Sequence, residues 1–135
     1  MVIAKFLQDH KSTLVFDDVV MGDDREPQLG RTGIVVGNPA ANGTTGGAQL
    51  YMANLIIYCP DTMTNIQTTK DGVAKAFALA GRVDQLFESH DDAVLIDGVY
   101  LVNPHCGTPV EGLDPLTNLA VVTMTVDYGL MQGVS

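Results

Sequence analysis

The chain has 135 residues, 46% of them hydrophobic and only 17% charged, which fits one domain able to bury roughly two thirds of its unfolded surface without disulfides or a structural metal. Sixteen carboxylates against seven Lys and Arg give a formal charge of −9 with no basic run, and this excludes nucleic-acid binding driven by counterion release. The low charged fraction leaves less surface marked for solvent than is usual, as expected where neighbours cover part of it.

Val2, Ile3, Phe6 and Leu7 fall on one stripe of a short N-terminal helix that ends near His10. Thr13 to Phe16 and Val19 to Met21 read as extended segments. Gly22 to Pro27 is a charged turn, and Thr32 to Gly37 a short β-branched strand. Asn38 to Gly47 has no apolar anchor and is rich in Asn, Gly and Thr, so it is expected to be a mobile surface loop or arm. Ala48 to Cys59 is the longest strand, with apolar residues at both parities, which predicts a central place in the sheet with both faces buried.

Thr68 and Asp71 have the spacing of a capping box before a long helix, Thr69 to Ser89. Its apolar stripe comprises Val73, Ala76, Phe77, Ala80, Val83 and Phe87, and the small residues Ala76, Ala80 and Gly81 suit a close approach to a sheet. Val94 to Val102 is a strand broken at Asp97-Gly98. Asn103 to Asn118, with three prolines and two glycines, is a long loop of the kind that often carries function. Leu119 to Tyr128 alternates cleanly, Val122, Met124, Val126 and Tyr128 against Thr123, Thr125 and Asp127. These elements define an α+β domain: a mostly antiparallel sheet with one long helix packed on one face and a short N-terminal helix.

Candidate chemistry is sparse. His105-Cys106 pairs an imidazole with a thiol, but neighbours on an extended chain point to opposite sides and no third group orients them. Cys59 and Cys106 read as reduced thiols, and no ligand spacing joins them to His10, His105, Asp17-Asp18, Asp23-Asp24 or Asp91-Asp92 as a metal site. Gly43, Gly46 and Gly47 precede a strand rather than a helix, unlike a phosphate-cradling loop. His90-Asp91-Asp92 punctuates a helix end. No cofactor and no catalytic residue is expected. With no segment approaching the ~18 apolar residues of a membrane span and no signal-peptide pattern, the chain reads as soluble.

The order of features resembles the tail terminator (tail completion) family of long-tailed bacteriophages, which includes minor capsid, head–tail joining proteins. The matching features are the short N-terminal helix, the Gly46-Gly47 turn into the strand Tyr51 to Ile57, and the alanine-rich helix Val73 to Phe87. Gly98-Val99-Tyr100-Leu101 and a Pro109 loop before the last alternating strand complete the pattern. The likeness spans Val2 to Tyr128. It departs in having Cys59-Pro60 where an arginine commonly follows the central strand, and in the long Asn38 to Gly47 segment.

The resemblance implies a structural virion protein at the head–tail junction, assembled in the host bacterial cytoplasm. It would be a homo-oligomeric ring, commonly a hexamer, that caps the tail tube and docks to the neck or stopper protein, with DNA only in transit through an acidic lumen. By elimination, the expected contact loops are Asn42, Gly43, Thr44, Thr45, Gly46 and Gly47, together with Asn103, Pro104, His105, Pro109, Glu111 and Asp114. A neck stopper, a tail tube subunit, or a small ligand-binding module or enzyme using the His105-Cys106 loop remain the alternatives.

Overall fold

The structure, a computed structural model, describes residues 2–14, 16, 18–21, 31–90, 93–114 and 119–132. The expected turn at Gly22 to Pro27 lies outside these residues. Helix α1 (Val2–Asp9) buries Ile3, Phe6 and Leu7, the stripe that the spacing predicts. A single helical turn, α2 (Lys11–Leu14), follows where an extended segment was expected. The turn is held from a distance: Arg82 Nε donates to the Leu14 carbonyl at 3.0 Å, satisfying one of the carbonyls that a helix end leaves open.

The strands are β1 (Asp18–Met21), β2 (Gly33–Val36), β3 (Ala40–Thr45), β4 (Ala48–Tyr58), β7 (Val94–Ile96), β8 (Val99–Cys106), β9 (Val110–Leu113) and β10 (Ala120–Gln132). They form one eight-stranded sheet in the order β1-β2-β4-β10-β8-β7, with β3 also on β4 and β9 also on β10. All pairings but β1 with β2 are antiparallel. The two long strands β4 and β10 run together from Val122↔Ile57 to Leu130↔Gln49. Each of their outer edges is shared by two shorter strands: β4 pairs β2 at residues 55–58 and β3 at 48–52, and β10 pairs β9 at 120–123 and β8 at 126–132.

Because of this sharing, the sheet consists of two offset rows through one central pair. One row is β1-β2-β4-β10-β9, and the other is β3-β4-β10-β8-β7. Helix α1 lies against both β1 and β7, at diagonally opposite ends, so the sheet curls around its helical side. Two bulges sharpen the curl. Asn42 and Gly43 stand opposite Leu50 between the pairs Ala41↔Tyr51 and Thr44↔Gln49; Asn103 and Pro104 stand opposite Tyr128 between Asp127↔His105 and Gly129↔Val102.

Helix α3 (Gly72–Glu88) packs on the β4-β10-β8 side of the curl through Ala76, Leu79, Ala80, Val83 and Phe87. Leu79 takes the buried place expected of Phe77, which is partly exposed. Gly81 faces open space, so the close approach to the sheet falls on Ala76 and Ala80 instead. Phe6 of α1 stacks on Phe87, ring centroids 5.1 Å apart, joining the two helices over one apolar core. On β4 the buried residues Ala53, Leu55 and Ile57 share one parity, whereas on the other Ala48 is buried, Ile56 is half-buried, and Met52 and Asn54 are exposed. The expectation of two buried faces is therefore corrected, since helices cover one side alone. The expected strand Leu119 to Tyr128 is present and runs on to Gln132, with the predicted alternation of burial.

The capping box expected at Thr68 and Asp71 does not form, and the helix starts three residues later. Thr68–Thr69 is a short strand, β6, paired with β5 (Thr62–Met63). Asp71 stands at the N-cap position without a side-chain cap bond; its carboxylate instead accepts from the Thr62 amide at 2.7 Å and the Thr62 hydroxyl at 2.6 Å. Asp61 reaches forward to the helix, its Oδ1 accepting from the Gly72 amide at 2.8 Å. The break at Asp97-Gly98 proves to be a two-residue turn with both residues at positive φ. This geometry matches strand twist, so β7 folds back on β8 as a hairpin.

Candidate functional site

The two segments expected as loops are mostly strand. Ala40–Thr45 has no apolar side chain to bury, yet its backbone pairs with β4 and all six residues are exposed. The loop expectation is corrected there: propensity reports side-chain packing, and this strand is held by main-chain bonds. Gly46 and Gly47, both at positive φ, make the tight turn between Thr45 and Ala48, as a two-residue hairpin requires. Gly43, at φ +103°, absorbs the bulge, and Gln49 Nε2 donates to its carbonyl at 2.8 Å across it.

The expected 103–118 loop is likewise an edge of the sheet. β8 runs to Cys106, the Gly107 amide donates to the Thr125 carbonyl, and β9 resumes at Val110. Pro104 does not stop the strand because it stands in the bulge, where no ladder bond is lost; Asn103 takes the left-handed conformation, φ +49°, that Asn tolerates. The Asp114 amide donates to the Leu119 carbonyl at 2.9 Å, and 115–118 lie outside the described residues.

Of the expected contact residues, Asn42 to Gly47, Asn103, His105 and Glu111 are exposed and Pro109 is partly so, whereas Pro104 and Asp114 are buried. Those two are corrected from contact to framework positions. The two surfaces occupy opposite edges of the sheet. Sequence reasoning missed the apolar side chains on the second: Val110 and Leu113 are 55% and 67% exposed. It also missed Met63 and Ile66 on the small β5–β6 hairpin; isolated apolar residues in polar runs give no periodic signal.

His105 and Cys106 diverge, as neighbours on a strand must. His105 stands on the open face, its Nε2 3.8 Å from Asp127 Oδ2, while Cys106 packs against the core. Burial, with the carboxylates of Asp84, Asp127 and Glu88 nearby, pushes the Cys106 thiol up to about 12, the reverse of what activates a nucleophile. Neither Cys59 nor Cys106 is joined in a disulfide among the described residues. His90 is tied down at the end of α3, its Nδ1 2.9 Å from the Leu86 carbonyl, and its ring meets those of Phe6 and His10. Among the described residues no three His, Cys, Asp or Glu side chains gather as metal ligands; Asp17, Asp23, Asp24, Asp91 and Asp92 lie outside them. No helix of the described residues is long and apolar enough to cross a membrane.

No protein-family model matches the chain, and the comparison with curated proteins finds no match.

Proposed function

We propose that this chain is a self-assembling structural subunit, a ring-forming tail terminator of a long-tailed bacteriophage that closes the tail tube and joins it to the neck. The observation that carries the reading is the β3–β4 arm. In a chain of net charge −9, no Asp, Glu, Lys, Arg or His occurs from Thr32 to Pro60, yet the arm's outer strand is wholly exposed. An exposed, uncharged strand edge is a surface that proteins normally blunt with charges unless something covers it.

The order of elements retains the layout that prompted the resemblance: a short N-terminal helix, a glycine turn into the longest hairpin, and a helix packed on one face. The half-buried, proton-retaining Cys106 thiol weighs against the alternative of a small enzyme at His105-Cys106. The test is solution mass by light scattering across protein concentration, with negative-stain imaging of any large species. Closed rings of uniform diameter are the expected outcome. Long stacked tubes would move the reading to a tube subunit, and a monomer at every concentration would count against self-assembly.

A further inference from the structure

We propose that neighbouring copies join by sheet extension, with β3 of one copy pairing antiparallel to β9 of the next. This deepens the self-assembly reading and rests on it.

Three observations converge on this pairing. β3 and β9 end different rows of the sheet, on its opposite sides, and among the described residues no strand pairs with the outer side of either. Their side chains are exposed along β3 and at Val110, Glu111 and Leu113 of β9. A head-to-tail contact needs two such different patches on one subunit.

The chain directions also agree. β3 and β10 both run opposite to β4, and β9 runs opposite to β10; hence β9 is antiparallel to β3. A neighbour that repeats the sheet in the same orientation would bring its β9 alongside β3 in the antiparallel sense, the slightly more stable pairing per residue.

The chemistry selects this combination over the symmetric ones. Pairing β9 with β9 would bring two Glu111 carboxylates together between chains that already repel. Pairing β3 with β3, Ala-Ala-Asn-Gly-Thr-Thr on both sides, would cover no large apolar side chain. β3 against β9 covers Val110 and Leu113 and sets Glu111 beside an uncharged strand rich in hydroxyl and amide groups. The bulge at Asn42-Gly43 limits regular pairing on β3 to short lengths, which suits a strand of four residues. One such contact is weak, and closure of many copies supplies the avidity.

The test uses the full chain and light scattering, with circular dichroism and thermal melting as controls for folding. Ala40→Glu and Val110→Glu each place a carboxylate on an exposed edge, and either is expected to return the assembly to the mass of a single chain. The double variant Ala40→Lys with Val110→Glu is expected to reassemble, because Ala40, opposite Met52, and Val110, opposite Thr123, stand on the same face of the sheet, so that Lys of one copy then lies beside Glu of the next. Symmetric pairing would instead set Lys against Lys and Glu against Glu, so a double variant that stays dispersed overturns the proposal. Wild-type assembly unaffected by either single variant overturns it too while leaving the ring reading intact; a wild-type monomer at every concentration rejects both.

Discussion

The ring of Tyr51 lies on that of Tyr128, centroids 5.8 Å apart and planes 23° from parallel, at a directly opposed pair of β4 and β10. Burial, with the Tyr51 phenol adjacent, pushes Tyr128 up from 10.0 to about 12. A group whose folded value is raised contributes stability that is present below its unfolded value and lost as pH rises through the folded one. Stability is therefore expected to fall between pH 10 and pH 12, and Tyr128→Phe to flatten that limb. Denaturant midpoints against pH, beside a tyrosinate absorbance titration, would check this. If no tyrosine of the four ionises above the ordinary range, Tyr128 is not shielded as described.

Cys106 should be a poor nucleophile. With its thiol pushed up to about 12, alkylation near neutral pH is expected to be about a hundredfold or more slower in the native protein than in denaturant. Mass spectrometry after timed iodoacetamide exposure would resolve Cys106 from Cys59. Rapid native labelling at Cys106 would restore the enzyme alternative.

Two glycines of one helix should respond in opposite directions. A Cβ at Gly72 would come 2.5 Å from the Cys59 carbonyl oxygen and 2.9 Å from Asp61 Oδ1, so Gly72→Ala is expected to destabilise by about 2 kcal/mol. A Cβ at Gly81 meets nothing within 4 Å, and alanine there should stabilise by about 0.5–1 kcal/mol through backbone entropy. Thermal melting of the two variants gives the comparison.

Acid should release the small hairpin before the sheet. The hydroxyl and amide of Thr62 hold the Asp71 carboxyl below its usual 3.8. A depressed folded value contributes stability above the unfolded value and loses it as pH falls through the folded one. Amide exchange at Thr62 and Thr64 is expected to accelerate once pH drops below 3.8, and Asp71→Ala should cause the same acceleration at neutral pH. Unchanged protection in the variant would show that β5–β6 stands without this anchor.

What could be read in advance divides along physical lines. Val122 to Tyr128 announces itself because each second side chain enters the core, and Ile3, Phe6 and Leu7 do so at helical spacing. Ala40 to Thr45 carries no such signal: its ladder is made by backbone groups, which every residue but proline supplies alike. Pro104 suggested a loop because proline cannot donate, while the bulge that accommodates it depends on Tyr128 across the ladder. Asp71 was spaced for a local cap but is claimed by Thr62, nine residues earlier. The two candidate segments could thus be singled out by sequence position, whereas their conformation, and the burial of Pro104 and Asp114, depend on strands far along the chain.

The position of α1 against both β1 and β7 imposes an order on biosynthesis. The helix is translated ahead of every strand it rests on, yet part of its seat is made only when Val94 to Ile96 has been synthesised, and Phe6 must await Phe87. Contacts so distant along the chain form late and slowly. Through most of translation the apolar stripe of α1 therefore has only part of its seat, and a nascent-chain chaperone that shields it until the curl closes would raise the yield of native protein.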